Sequence, residues 1–266
     1  MIKDITIGQY YPAKSILHRL DPRVKFVGTI AFLISLFVAD SLWGYLLATA
    51  FLAVVIVLSK VPVKFMMKGL KPLFFIFILT VAINLFLVPG KVVVQIWILK
   101  ITEEGIRQAI KIGIRLIYLV MGSSVMTLTT TPNQLTDGLE KLMRPLNKIK
   151  VPIHEIAMMM SIALRFIPIL MEETDKIMKA QIARGADFES GNLIKKAKNL
   201  IPLLVPLFIS AFRRADDLAM AMEARCYHGG DHRTSMKPLK YQNRDIMAYL
   251  ILLVYLIADI VLRIIL

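Results

Sequence analysis

The sequence predicts an all-α integral membrane protein with about five transmembrane helices and additional long cytoplasmic or interfacial helices. Hydrophobic residues make up 57% of the 266 residues, and only 20% of the residues are charged. The apolar residues fall in blocks of a length suited to the hydrocarbon core, rather than being spread evenly as in a soluble domain. The net charge of +14 is explained by basic segments between these blocks, so a nucleic-acid partner is not expected.

The predicted membrane domain, residues 1–130, contains four spans. The first two apolar blocks are residues 24–39 and 42–58, each close to the lower limit of about 17 residues for a span. The third block is residues 72–88. A Val- and Ile-rich stretch then predicts a short extended segment, followed by a fourth helix over 103–128.

The last predicted span is residues 246–266, within a C-terminal segment over 245–266. It is interrupted by Asp259 and Arg263, which lie four residues apart on one helical face and are expected to be able to pair. A pair of this kind is more often an anchor at the membrane interface than part of a proton relay.

The distribution of basic residues predicts the orientation in the cytoplasmic membrane. Of the 33 Lys and Arg residues, 27 lie before or at the start of the first block, between the second and third blocks, or between the fourth and the last. The side with this excess is the cytoplasm, so the N-terminus is predicted inside and the C-terminus outside. Residues 131–244 then form a cytoplasmic coupling-helix domain.

Two apolar runs inside the basic segment complicate this topology. Residues 156–170 and 200–212 both contain proline, and both are short for a span. If both crossed the membrane, they would carry several lysines and an arginine to the outside, against the charge bias. We therefore interpret them as interfacial or partly inserted helices.

One pattern occurs twice in the basic segment, at an offset of 41 residues. The copies are DKIMKAQIARG, from residue 175, and DDLAMAMEARC, from residue 216. Each is a helix-forming run with small residues on one face and an Ala-Arg step at its end. The alanines of these faces are predicted to let two helices pack closely; they are Ala180, Ala211, Ala215, Ala219 and Ala221.

The two arginines of the repeat, Arg184 and Arg225, allow two interpretations. An arginine near a helix end can bind the last carbonyls of its own helix. It can also reach a carboxylate on another protein, where the guanidinium binds through two parallel hydrogen bonds. Because equivalent arginines end both copies, we favour the second interpretation, and a duplicated contact suggests a partner that is itself present twice.

The chain resembles the transmembrane T component of the energy-coupling factor (ECF) transporters, ABC-type importers of vitamins and metals in bacteria. The resemblance rests on Ala183-Arg184-Gly185 and Ala224-Arg225-Cys226, which are similar to the paired Ala-Arg-Gly signatures of that family. It also rests on the segments TTTPNQLTDGLEKLMRPL, VPIHEIAMMMSIALRFIPIL and IPLLVPLFISAFRRADDLAMAMEAR, and it extends from LDPRVK at residue 20 to the last span.

The resemblance implies a scaffold without catalytic residues that links two cytoplasmic ATPase subunits to a membrane-embedded, substrate-binding S component. The ATPases would form a homo- or heterodimer, and Arg184 and Arg225 would each dock on one of them. Ala183, Gly185 and Ala224 would allow close approach. Cys226 stands where the family has glycine, which leaves the helix-end geometry of the second signature open.

Other constellations indicate no chemistry of their own. Cys226, His228 and His232 lie beside a glycine turn, where a polar loop is a better interpretation than a metal site. No phosphate-binding loop, Ser/His/Asp set or pair of carboxylates in a cleft is apparent, so we expect no catalytic residues, cofactor or metal. The alternatives are a self-contained secondary transporter and, less favoured, a membrane-bound enzyme.

Overall fold

The computed structural model describes residues 10–96, 99–188, 192–229, 236 and 238–265. Within these residues the chain is helical apart from one antiparallel β-hairpin, which confirms the predicted fold class. The helices are α1 Pro22–Val38, α2 Leu42–Ser59, α3 Val63–Lys68, α4 Phe74–Leu87, α5 Glu103–Thr129, α6 Pro132–Met143, α7 Ile153–Ala183, α8 Leu193–Asn199, α9 Ile201–Glu223 and α10 Asn243–Ile265. The strands are β1 Val92–Ile96 and β2 Leu99–Thr102, in the segment predicted to be extended.

Five described helical stretches are long and apolar enough to cross a membrane: Leu42–Ser59, Val63–Leu87, Glu103–Thr129, Ile153–Ala183 and Asn243–Ile265. The number agrees with the prediction, but the set includes α7 and leaves out α1, which has only 17 residues. The apolar run of residues 156–170 and the first copy of the repeat, which were predicted separately, form one continuous helix to Ala183. Pro168 lies inside this helix without ending it, and the following residues are mostly good helix formers.

The chain divides into two compact units. One, which we call the α7–α9 unit, contains Leu139–Pro238. The other, which we call the membrane unit, contains Thr6–Gly138 and Leu239–Leu266. These divisions lie a few residues away from the domain boundaries that the sequence predicted.

The core of the membrane unit is formed by α1, α2 and α10. One cluster of buried side chains in this core comprises Phe32, Leu36, Ala48, Leu52, Leu252 and Tyr255. The Tyr255 ring stacks on that of Phe51 with 4.2 Å between ring centroids, and its hydroxyl shares a 2.7 Å hydrogen bond with the Ser35 hydroxyl. A buried hydroxyl needs such a partner because no water is available to satisfy it.

Helix α5 packs closely on α1 at Gly122. A Cβ atom at this position would lie only 2.8 Å from Cε1 of Phe32. Phe32 is itself enclosed and packs against Phe51 and Tyr255, so its ring has little room to move. Because glycine has no side chain, Gly122 allows α5 and α1 to approach this closely.

A buried polar cluster joins the N-terminal ends of α1 and α10. The Asp245 carboxylate, 1% exposed, accepts hydrogen bonds from the backbone N–H groups of Asp21 and Gln242. Asp21 caps α1 and accepts hydrogen bonds from the Arg23 side chain, whose guanidinium lies 3.8 Å from the centroid of the Tyr241 ring. Burial raises the pKa of the Asp21 carboxyl, but the hydrogen bonds from Arg23 outweigh it and hold the pKa below its ordinary value.

The structure does not form the pair predicted for Asp259 and Arg263. Both Asp259 carboxylate oxygens are buried without a hydrogen-bond partner among the described residues. Asp259 faces α2, where its Oδ1 would lie 3.5 Å from a Cβ atom on Gly44, whereas Arg263 is exposed one turn closer to the helix end. The expectation of an ion pair was therefore wrong, because burial against α2 holds the carboxylate away from the exposed guanidinium.

Candidate functional site

Helices α7 and α9 end in the same backbone motif. In α7 the N–H groups of Gly185 and Ala186 donate to the carbonyls of Ile182 and Gln181, at 2.9 Å each. In α9 the N–H groups of Cys226 and Tyr227 donate to the carbonyls of Glu223 and Met222, at 2.9 and 3.0 Å. This is the Schellman arrangement, and every atom pair in one end is offset by 41 residues from its counterpart in the other.

The Schellman motif needs a residue with positive φ directly after the arginine. Gly185 has φ of 87° and Cys226 has φ of 57°, so both copies place this residue in the left-handed region. Glycine enters that region without steric cost, whereas an L-residue with a side chain pays about 1–2 kcal/mol. Cys226 therefore keeps the helix-end geometry of the glycine copy, which answers the question that the sequence left open.

The two arginines of the repeat are exposed at the helix ends. Arg184 and Arg225 are both exposed, and neither guanidinium forms an ion pair or hydrogen bond within the part of the chain that the structure describes. Ala183 and Ala224, immediately before them, are exposed as well. The last carbonyls of each helix are already bound by the backbone N–H groups of the Schellman motif, so the arginines are not needed to cap their own helices.

Helices α7 and α9 pack against each other in antiparallel directions. The Arg214 Nη2 atom donates to the Glu173 carboxylate at 3.0 Å, and the Gln181 side-chain amide donates to the Pro202 carbonyl at 3.2 Å. The later residue of α7, Gln181, therefore contacts the earlier residue of α9, Pro202. The two ends that carry Arg184 and Arg225 lie at opposite ends of the pair.

The Glu173–Arg214 contact joins equivalent positions of the repeat, which are again 41 residues apart. Equivalent residues of two antiparallel helices meet where an approximate two-fold axis passes between them. Each arginine follows its contact residue by 11 positions. At 1.5 Å per residue, each guanidinium-bearing end lies about 16 Å from the contact along its own helix. Sequence reasoning missed this pair, although opposite charges at the repeat offset were a usable signal.

Most of the alanines predicted to bring helices together are exposed, so close packing through them stays a prediction. Ala180, Ala215, Ala219 and Ala221 are exposed, and only Ala211 is partly buried. The helices instead meet through longer polar side chains at Glu173, Arg214 and Gln181. Close packing through the alanines thus finds no support here, because their small faces point outward.

Helix α9 carries an exposed apolar face. Its members recur at spacings of three and four residues, as one side of an α-helix requires; they are Ile201, Leu204, Val205, Phe208, Ile209 and Phe212. Phe212 is 68% exposed and Phe208 is 60% exposed. An apolar face of this length on one helix is expected to contact lipid or another protein.

The Cys–His segment after α9 shows no metal-binding arrangement in its described part. The His228 Nδ1 atom lies 2.9 Å from the carbonyl oxygen of Cys226, as in a polar turn. Among the described residues there is no group of three or more His, Cys, Asp or Glu side chains that could hold a metal ion. His232 lies outside the described residues, so its predicted place in a polar loop stays a prediction.

Comparison with known proteins agrees with these features. The family model of the cobalt transport protein CbiQ matches residues 13–236. The energy-coupling factor transporter transmembrane protein EcfT of Clostridium kluyveri is 56% identical over 266 residues, covering 99% of this chain and 98% of that protein. The EcfT proteins of Bacillus subtilis and Lactococcus lactis are 48% and 46% identical, each covering 92% of this chain and 93% and 92% of the relative.

The matched segment includes both helix ends and the α7–α9 contact, and the relatives align over nearly their whole length. The chain therefore belongs to the CbiQ cobalt transport protein family, together with the EcfT transmembrane proteins of energy-coupling factor transporters.

Proposed function

We propose that the chain is the transmembrane energy-coupling subunit of an ECF importer of vitamins or other micronutrients. In this function it connects two cytoplasmic ABC-type ATPase subunits to a membrane-embedded S component that binds the substrate. The observation that supports it most is the pair of exposed arginines at equivalent Schellman ends of two antiparallel helices.

The proposed ATPase contacts are Arg184 and Arg225, each supported by its neighbouring alanine and by Gly185 or Cys226. An exposed guanidinium with no partner among the described residues can bind a carboxylate on an ATPase subunit through two parallel hydrogen bonds. The approximate two-fold relation of the helix ends suits a dimer of ATPases, since each subunit then receives one arginine in an equivalent setting. The small side chains beside each arginine let the helix end enter a groove.

The apolar face of α9 is the proposed contact surface for the S component. An S component embedded in the membrane presents apolar helix surfaces, and the face from Ile201 to Phe212 offers a matching strip. The exposed Ala215 and Ala219 continue α9 beyond this face and would allow close helix approach there. A rotation of α7 and α9 driven by the ATPases would then be passed directly to the S component.

The chain itself is proposed to carry no catalytic chemistry, so ATP hydrolysis takes place on the partner subunits. The positive-inside bias supports a cytoplasmic N-terminus, an external C-terminus and a cytoplasmic location for the arginine-bearing ends of α7 and α9. That location is necessary for the proposed docking, because the ATPases are cytoplasmic.

The proposal is tested by reversing both arginine charges. In Arg184→Glu/Arg225→Glu, each docking cation becomes an anion facing a carboxylate, so recovery of the ATPases with the affinity-tagged chain from detergent extracts should fall at least tenfold. The matched control is Lys179→Glu/Arg213→Glu, which makes the same charge change at exposed positions of the same helices. Equal recovery with the docking variant and with the unmodified chain would refute docking through these arginines.

A further inference from the structure

The membrane unit contains a groove of about 290 Å³ that the proposed coupling function does not use. It lies among α1, α2, α5 and α10, and its lining is almost entirely apolar. The volume is close to the lower end of the range of ligand pockets, about 300–1,000 Å³. An almost entirely apolar groove of this kind in a membrane unit suits part of a lipid chain better than a polar solute.

The groove has a charged end and an apolar end. Along α1 the lining passes from Lys25 through Gly28 to Phe32, which corresponds to about 10 Å along the helix. Along α10 it passes from Arg244 to Leu252 in the same sense. Both helices thus place a cation at the end where they begin and apolar or aromatic side chains deeper in the groove.

Lys25 is a buried cation with hydrogen-bonding capacity left over. It is only 8% exposed, and its ammonium group donates to the carbonyls of Thr129 at 2.8 Å and His18 at 3.3 Å. An ammonium group has three donors, so one remains for a ligand. The Lys25 side chain lines the groove, so this donor is available to an anionic group seated at the charged end.

Arg244 is the second cation at this end. It is exposed, and its guanidinium has no ion pair or hydrogen bond to any residue that the structure describes. The neighbouring Asp245 does not neutralise it, because both Asp245 oxygens are turned inward to accept backbone N–H groups. Asp21 is likewise paired with Arg23. The charged end therefore keeps a positive surplus.

We propose that this groove binds one anionic phospholipid, with its phosphate group against Lys25 and Arg244 and the first part of an acyl chain beside Gly28 and Phe32. An acyl chain in the groove exchanges contacts with other lipids for contacts with the apolar walls, which changes its free energy little. The preference for an anionic lipid therefore comes from the two cations. Basic pockets between helices at the cytoplasmic side of a membrane bind anionic head groups for this reason. The charged end belongs to the side that the positive-inside bias assigns to the cytoplasm.

Two substitutions separate the parts of the proposed site. Gly28→Leu places a side chain in the groove, and its Cβ atom would meet only Leu252 Cδ2, at 4.0 Å, so the helix itself can accommodate it. Leucine is also a better helix former than glycine, so the variant is expected to fold. Arg244→Gln removes a head-group contact without entering the groove. Their controls are Ile34→Phe, on the exposed face of α1, and Arg107→Gln, an exposed arginine of α5.

The experiment uses the full chain reconstituted in phosphatidylcholine vesicles that contain a minor fraction of phosphatidylglycerol with a photoactivatable acyl chain. After illumination, the labelled peptides are identified and the label is quantified for each variant. We expect labelling of the α1 and α10 segments that line the groove, and at least a fivefold loss in Gly28→Leu. Arg244→Gln should lower the preference for phosphatidylglycerol over an equally labelled phosphatidylcholine about fivefold, which corresponds to about 1 kcal/mol per cation.

Equal labelling of Gly28→Leu and the unmodified chain would overturn the proposal, as would equal labelling by the two lipids. Loss of S-component recovery in Gly28→Leu, with lipid labelling unchanged, would show that a protein occupies the groove instead. Crosslinks between two copies of the chain through this segment would likewise assign the groove to an interface and overturn lipid binding.

Discussion

The membrane unit and the α7–α9 unit differ in how many of their side chains have partners or are buried within the same unit. In the described part of the membrane unit, Lys25, Asp245 and Ser35 are buried and have partners within the unit. In the α7–α9 unit, only Ile153, Ala157 and Leu203 are buried hydrophobic residues among those described. Its two key arginines have no described side-chain partner, and the apolar face of α9 is exposed. The membrane unit pairs several of its buried polar groups internally, although the buried Asp259 carboxylate has no described partner, whereas the α7–α9 unit exposes groups that another chain could bind.

The strongest test of this contrast is a substitution in the membrane unit. Gly122→Leu would drive a side chain into the enclosed Phe32 ring, because even a Cβ atom lies 2.8 Å from that ring. Overpacking of this kind costs about 1–3 kcal/mol or more, so we expect most of the chain to be lost from the folded peak in size-exclusion chromatography after detergent extraction. Gly28→Leu is the control, since it makes the same change in open space. A normal peak for Gly122→Leu would show that α1 and α5 are not held at this distance.

A smaller effect is expected from reversing one docking arginine of the α7–α9 unit. Arg184→Glu or Arg225→Glu alone should reduce ATPase recovery less than the double change, because the other helix end, on the far side of the Glu173–Arg214 contact, still binds. The chain itself should extract and elute normally, since neither arginine has a described partner to lose. Recovery that falls equally in single and double variants would argue against two independent contacts.

The smallest effect is expected at Cys226, where the two copies of the repeat differ. Cys226→Gly removes the steric cost of a side chain at positive φ. It also raises the conformational entropy of the unfolded state, which lowers the folding stability by about 0.5–1 kcal/mol. The two effects oppose each other, so transport and stability should stay near those of the unmodified chain. Cys226→Val, a β-branched residue at the same φ, should weaken this end of α9 further, because β-branched side chains are the least compatible with positive φ. The check is transport by the reconstituted complex. Equal transport by both variants would show that the left-handed geometry of this end is unimportant.

The sequence identified the two arginines proposed to dock because charge, repeat offset and helix ending are local properties. Arg184 and Arg225 could be found by comparing two eleven-residue segments, and the glycine after the first identified a helix end. The pairings across helices could not be found in this way. Glu173 with Arg214 and Asp245 with the backbone of Asp21 depend on which helix faces which, and a single sequence gives no direct measure of this.

The differences from the prediction have the same origin. The apolar run of residues 156–170 was interpreted as a separate short helix with a proline kink or start, yet it continues through Pro168 into the first copy of the repeat as one helix, α7. The alanines were predicted to let helices pack closely, and because most of them are exposed in this chain, that packing stays a prediction. The spacing of Asp259 and Arg263 allowed an ion pair, yet the carboxylate is turned into the protein against α2.

The sequence by itself determined the membrane character, the helical class, the repeat and the two arginine-bearing ends, because hydrophobic blocks and helix signals act over short stretches of chain. Only the tertiary structure decided that α7 and α9 run antiparallel, that their ends share one Schellman geometry despite a cysteine in place of glycine, and that a charged groove opens in the membrane unit. The antiparallel pairing and the groove arise from contacts between residues far apart in sequence, whose geometry depends on the packing of whole helices. The Schellman ends are local, but only the backbone geometry shows that cysteine adopts the same positive φ as glycine.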